Sequence, residues 1–422
     1  MTSISMGAAT LLLGDCRDVL KTIADRSIDA IVTDPPYEIG FMGRDWDRSG
    51  VANDVAVWAE CLRVLKPGGH LLAFSGARTY HRMACAIEDA GFELRDQIMW
   101  IYGSGFPKSK NLDGDWNGWG TALKPAHEPI CVARKPLVGT VEANVLAHGT
   151  GALNIDACRV PTDDKLGGGA EKETTVEQKG NDGWTRPWMN DEAARAAHAE
   201  RVRGNVEKAE ALGRWPANVI HDGSPEVLEA FVRFGEKTSG KPSGMKSGGK
   251  GNAFGHFNGG IPVTGFGDSG SAAHFFYCAK ATRADRNEGV GGSDAPAVAS
   301  GATMREREDA DWPARNGNHH PTVKPTDLMA YLCRLVTPPG GTVLDPFMGS
   351  GSTGKACVRE RFGFVGIDLA LEYIDIARAR IEHELSRVAA AAADREALAH
   401  QRDLFADAES ATACASAYGL CE

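Results

Sequence analysis

Short apolar runs recur along the chain, and patterns of helical period lie between several of them. Residues 10–13, 28–33, 70–74, 97–101, 129–133, 342–344 and 364–367 read as buried strands. Val55, Trp58, Ala59, Leu62 and Leu65 repeat at helical spacing, and Lys66-Pro67-Gly68-Gly69 is expected to end that helix. Residues 80–90, 327–336 and 371–385 carry the same period. Strands alternating with helices predict an α/β fold with a mostly parallel sheet covered on both faces.

The alternation fails over residues 136–311, which are rich in glycine, charge and turn formers. Within them, 238–272 holds Lys241, Lys246 and Lys250 against one acid, Asp268, with Phe254, Phe257 and Phe266 interleaved. Such a loop suits closure on a polyanion with rings to stack on bases; the competing reading is a surface insertion of low complexity. Strand-like pieces return at 217–220 and 274–279, so the insertion has folded content.

Composition narrows the class. The 422 residues, 42% of them apolar, suffice for a large domain and a second module. No apolar run reaches membrane-spanning length and no leader pattern opens the chain, so no membrane partner and a cytoplasmic location are expected. The ten cysteines include no Cys-x-x-Cys pair, which argues against zinc-ribbon and thioredoxin chemistry. A net charge of −10 speaks against a broad nucleic-acid surface, but residues 382–422 carry eight acids and three bases, half of that excess. A local basic site remains compatible with the balance.

Two stretches carry chemistry. In the first, the apolar run 28–33 ends in Asp34-Pro35-Pro36-Tyr37. Two prolines stiffen the backbone and remove two amide donors, which fixes a carboxylate, a carbonyl and an aromatic ring at a strand's carboxyl end, where open α/β sheets bind ligands. The exocyclic amine of a nucleobase is a poor nucleophile because its lone pair is delocalised. Acceptors from Asp34 and the Pro35 carbonyl can draw it toward tetrahedral geometry, and Tyr37 can stack on an extruded base. Arg44, Asp45 and Trp46 in the following loop offer contacts to the ring edge.

The second stretch is Asp345-Pro346-Phe347-Met348-Gly349-Ser350-Gly351-Ser352-Thr353-Gly354-Lys355. It approaches the phosphate-binding loop of nucleotide hydrolases, but Ala356 stands where a metal-binding hydroxyl is required. The alternative is a glycine turn that lets a helix begin against a bulky cofactor, and Asp368 at the end of the next apolar run has the spacing of a ribose-binding acid.

Together these motifs resemble the beta class of S-adenosylmethionine-dependent DNA amino-methyltransferases, which modify adenine N6 or cytosine N4. The resemblance rests on DPPY at 34–37, DPFMGSGST at 345–353, NHHPTVKP at 318–325 and GDC at 14–16, with phage-type members similar in the insertion. It implies a circularly permuted Rossmann-like sheet of about seven strands with a large irregular insertion. It further implies a catalytic half at 1–135, a target-recognition region at 136–311, a cofactor half at 312–388 and an acidic, alanine-rich tail at 389–422. Carried over, Asp34, Pro35, Pro36 and Tyr37 form the catalytic motif. Phe347, Gly349 and Gly351 line S-adenosyl-L-methionine, with Asp345 by its amino-acid part, Asp368 at the ribose, His320 and Lys324 over the methionine portion, and Asp15 and Cys16 beside the adenine. Double-stranded DNA is the implied partner, and a homodimer is compatible with the class. No metal is expected. An aspartate opening the motif favours adenine N6; cytosine N4, an RNA substrate and an inactive DNA-binding relic stay open as alternatives. Cytosine C5 chemistry is disfavoured because no Pro-Cys dipeptide supplies a thiolate.

Overall fold

The computed structural model describes residues 2–40, 45–105, 109–162, 191–233, 249–252, 255–257, 271–279, 283–291 and 317–417. Arg44, Lys241, Lys246, Phe254 and Phe266 lie outside them, as do the side chains of Asp45, Lys250 and Phe257. Of the expected readers of the ring edge, Trp46 is described and half-buried, whereas Arg44, the Asp45 side chain and most of the basic, aromatic loop fall outside the described residues.

In chain order the described elements begin β1 (Thr2–Met6), β2 (Ala9–Leu13), α1 (Cys16–Val19), β3 (Ile28–Thr33), α2 (Val55–Val64), β4 (Leu65–Phe74), α3 (Tyr80–Asp89), β5 (Glu93–Ile101), β6 (His127–Arg134) and α4 (Val141–His148). They continue α5 (Glu192–Leu212), β7 (Val219–His221), α6 (Pro225–Val232), β8 (Gly249–Asn252), β9 (Gly255–Phe257), β10 (Tyr277–Cys278) and α7 (Arg283–Asn287). The last are α8 (Thr326–Val336), β11 (Thr342–Asp345), α9 (Ser352–Glu360), β12 (Gly363–Asp368) and α10 (Leu371–Ala417). The chain divides into two compact units, one of Met1–Asp96, Ile130–Leu153 and Ala281–Glu422, the other of Gln97–Pro129 and Asn154–Lys280.

In the first unit the strand order is β1-β2-β12-β11-β3-β4-β6. The five strands from β2 to β4 are parallel, and β1 and β6 join antiparallel. All six residues of β3 are buried, as a strand covered on both faces requires. β11 and β12 come last in the chain yet sit between β2 and β3. The carboxyl ends of four neighbouring parallel strands thus present Asp15, Asp368, Asp345 and Asp34 in spatial order. From β3 the chain moves on to β4, and from β11 to β12 on the opposite side. This reversal makes the gap between β3 and β11 a topological switch point.

A core beneath these ends fixes them. Trp58, Val64, Leu65 and Leu71 have no exposed area, and the Trp58 indole N–H donates to the Ala52 carbonyl at 2.9 Å. Truncating such a tryptophan costs about 3–5 kcal/mol. Two expectations need correction. Lys66-Pro67-Gly68-Gly69 does not terminate α2, which ends at Val64; the segment belongs to β4, where the register slips between the pairs Ile28–Leu65 and Ala30–His70. Gly68 takes a φ of +76°, and a Cβ there would lie 2.5 Å from Asn144 Nδ2, so the bulge requires glycine. The final helix runs to Ala417 instead of stopping near residue 385, because its alanine-rich stretch has high helix propensity.

In the second unit β5 and β10 both pair in parallel with β7. Phe231 of α6 stacks against His221 and Phe276 at 6.3 and 5.9 Å. Asp222 receives the Gly103 N–H at 3.1 Å, fixing the turn after β5. β8 and β9 form a separate antiparallel ribbon.

Candidate active site at the strand ends

Beyond β3 the backbone enters the proline pair with Pro35 buried and Asp34 partly exposed. The Lys324 ammonium donates to Asp34 Oδ2 at 2.6 Å and to the Tyr37 hydroxyl at 3.2 Å. It also lies 5.4 Å from the Tyr37 ring centre and 4.9 Å from that of Phe74. Lys324 is 7% exposed, so these contacts act with little screening by water. The loop after Tyr37 closes on itself: Asp47 accepts the N–H groups of Glu38 and Ile39 at 3.0 and 3.2 Å. Glu38, at a φ of +56°, in turn accepts the Gly50 N–H at 2.9 Å. These bonds brace the backbone that directly follows the aromatic ring.

Asp345 ends β11 and turns inward. Thr33 and Thr353 each donate a hydroxyl to it at 2.6 Å, and the Phe347 N–H donates at 3.1 Å. Burial pushes its carboxyl up to about 6, and the Asp34 charge acts in the same sense. Its contacts join the end of β3, the glycine loop and the first turn of α9. Asp368 also braces the loop, accepting from Gly349 N at 2.8 Å and Ala370 N at 2.8 Å, and burial raises it to about 6. The end of β2 is tied in by Gly14 N donating to the Asp368 carbonyl at 2.9 Å.

Gly349 and Gly351 have φ of +51° and +78°. A Cβ on Gly349 would meet His320 Nε2 at 2.7 Å, and one on Gly351 would meet the Ala377 Cβ at 2.8 Å. His320 is held by Nδ1 against the Thr322 carbonyl at 3.0 Å and by an edge contact with Tyr373 at 4.5 Å. Burial depresses its imidazole to about 4, so it is neutral at pH 7. Phe347 is half-buried, 6.2 Å from the Trp58 ring.

Asp15 caps α1 and pairs with Arg17 at 2.5 Å, which lowers its pKa. Cys16 packs into the core with its thiol pushed up to about 12 by burial. Thus Asp34, Tyr37 and Lys324 come into contact, and His320, Gly349 and Asp368 surround one turn. Asp15 joins them at the strand ends, while Cys16 faces the interior.

The phosphate-loop reading fails on Lys355. That side chain has no exposed area and pairs with Asp285 at 2.7 Å and with Glu288. It is committed to the interior and unavailable to a ligand. A strand-end carboxylate, a half-buried ring and a glycine turn without a free phosphate-binding lysine suit a nucleoside sulfonium. Asp285, Arg286, Thr326 and Arg380 lie outside the motifs read from the sequence. Arg380 lies in the helical run of Ile374, Ala377 and Ile381, a buried face on which a charge stands out. Among the described residues no cluster of His, Cys, Asp and Glu could hold a metal, and no helix is long and apolar enough to cross a membrane.

Residues 28–379 match the family described as DNA methylase, the N6/N4 methyltransferases. Two type II methyltransferases are similar over short stretches: M2.DpnII of Streptococcus pneumoniae is 46% identical over 65 residues, covering 15% of this chain and 24% of its own. M.Cfr9I of Citrobacter freundii is 45% identical over 78 residues, 18% and 26% of the two chains. The matched stretches span about a quarter of these relatives. Among solved structures, an M1.HpyAVI–SAM complex aligns over 88% of this chain and 99% of its own at 16% identity and a TM-score of 0.37. PvuII DNA methyltransferase, cytosine-N4-specific, aligns over 88% and 86% at 13% identity and a TM-score of 0.40. With four fifths of its length matched, the chain belongs to the N6/N4 DNA methylase family.

Proposed function

We propose that the protein is a site-specific methyltransferase acting on adenine N6 in double-stranded DNA. The observation that carries this reading is the meeting of Asp34, Tyr37 and Lys324 at the β3 end, one strand from the glycine loop. S-adenosyl-L-methionine supplies an electrophilic sulfonium methyl when bound. Phe347, Gly349 and Gly351 would line it, Asp368 would hold the ribose, Asp15 would lie toward the adenine with the Cys16 side chain packed in the core behind it, and His320 and Lys324 would lie toward the methionine part. Asp345 supports the loop from inside, through Thr33 and Thr353.

Toward the target base, the Asp34 carboxylate and the Pro35 carbonyl accept the two N–H groups of the exocyclic amine and aim its lone pair. Pro36 keeps the turn rigid, and Tyr37 stacks on the flipped ring. For the amine to reach Asp34, Lys324 shares or yields its bond to Oδ2. Within the region expected at 136–311, the part that lies in the second unit, Asn154–Lys280, would supply target recognition, and the enzyme works in the cytoplasm.

The test is incubation of duplex DNA with the protein and the methyl donor, digestion to nucleosides and mass spectrometry. N6-methyladenine is expected. N4-methylcytosine would instead support the other base within the same family. Cofactor binding without any methylated product would mean a relic.

A further inference from the structure

We infer that Asp285 and Arg286 are positioning residues for the cofactor pocket, two consecutive side chains that hold the glycine loop and the Lys324 segment in register. The inference rests on the assignment of the glycine loop to the cofactor.

Asp285 faces two elements far apart in sequence. Its Oδ1 accepts from Lys355 Nζ of α9 at 2.7 Å, and its Oδ2 accepts from the Thr326 N–H at 2.6 Å, two residues beyond Lys324. The Thr326 hydroxyl donates to Oδ1 as well. Its carbonyl accepts from Arg380 Nη2 at 3.0 Å. Arg380 reaches the loop itself, donating Nη1 to the Ser350 carbonyl at 2.5 Å, to Ser350 Oγ at 3.0 Å and to Ser352 Oγ at 3.3 Å. Ser350 stands between the two glycines.

Arg286 secures the opposite wall. Its Nη2 donates to the His320 carbonyl at 2.5 Å and its Nε to the Asn318 carbonyl at 3.3 Å. Its own carbonyl accepts from Asn318 Nδ2 at 2.9 Å. His320 is the ring pressed against Gly349, so moving its backbone moves the surface that shapes the turn.

The charges explain why these contacts matter. Lys355 and Arg380 have no exposed area, and a buried charge that loses its partner draws in water or shifts its helix. Both belong to helices that begin at, or pack on, the loop. Without Asp285, Lys355 keeps only Glu288 of the two carboxylates it pairs with. α9, which opens with Gly351 as its cap, would lose its fixed offset from α8. A pocket displaced by an ångström keeps its fold and loses its ligand geometry.

The experiment is calorimetric titration of S-adenosyl-L-methionine into full-length protein, with melting temperatures of the free proteins. The proteins are wild type, Asp285→Asn, Arg286→Ala, Arg286→Lys and, as control, Ile87→Ala, a fully buried residue of the core cluster. Charge-assisted hydrogen bonds of this kind predict a loss of affinity of about tenfold or more for Asp285→Asn and Arg286→Ala. Arg286→Lys should recover part of that loss, and Ile87→Ala should lower the melting temperature with the dissociation constant within about twofold of wild type. Should Arg286→Ala fail to fold, Asp285→Asn against the control decides. Affinities of Asp285→Asn and Arg286→Ala within about threefold of wild type overturn the inference, as does equal weakening by Ile87→Ala. Wild-type protein that takes up no cofactor overturns the pocket assignment and this inference together.

Discussion

Gly349→Ala probes the geometry of the glycine turn, and its cost separates into two parts. The first is backbone: Gly349 sits at a φ of +51°, and a residue with a Cβ pays about 1–2 kcal/mol there. The second is contact: the added Cβ would lie 2.7 Å from His320 Nε2 and 3.0 Å from its Cε1. The ring cannot simply swing away, because Nδ1 meets the Thr322 carbonyl and Tyr373 abuts its face. Overpacking of this kind costs about 1–3 kcal/mol. The sum is about 2–5 kcal/mol, a large fraction of the stability of an ordinary domain. Replacing His320 by alanine removes the contact and leaves the backbone part. In a cycle of Gly349→Ala, His320→Ala and the double variant, read by urea denaturation of free protein, the double variant should be more stable than additivity predicts by about 1–3 kcal/mol. Additivity within about 0.5 kcal/mol would refute the claim that His320 defines the inner surface of the turn.

Two further outcomes follow from the same site. Asp34→Ala should lower methyl transfer by about a hundredfold or more, since an oriented acceptor is lost; calorimetric affinity for the cofactor should stay near wild type, and near-normal turnover would remove Asp34 from the chemistry. Asp345 has its carboxyl raised to about 6 from an ordinary value near 3.8, so the unfolded chain ionises first as pH rises. Its contribution therefore falls between about pH 4 and pH 6 and stays low above, by up to about 3 kcal/mol at 1.36 kcal/mol per unit. Asp345→Asn should shrink the loss of unfolding free energy between pH 4 and pH 7 by that order, and an unchanged loss would contradict the burial argument.

Local chemistry was legible in the chain. The apolar run 28–33 ended in a proline pair that could only stop a strand, and the glycine turn announced a helix starting against something large. The alternation of strands and helices carried the α/β class, and these two features marked the segments proposed for catalysis and for the cofactor. Contacts between distant positions were not legible. Lys324 and Asp34 are 290 residues apart, and Thr33 and Asp345 are 312 apart. No local preference encodes which strand lies beside which. The insertion of β11 and β12 between β2 and β3 decides it, and with it the cluster of carboxylates at one edge. Lys355 makes the same point from inside one motif. Its spacing from Gly349 suggested a phosphate, and only the packing of α9 against Asp285 and Glu288 turned it inward. A lysine's role follows from the charge that folding places beside it, because the cost of burying it must be met by a partner that sequence proximity does not supply.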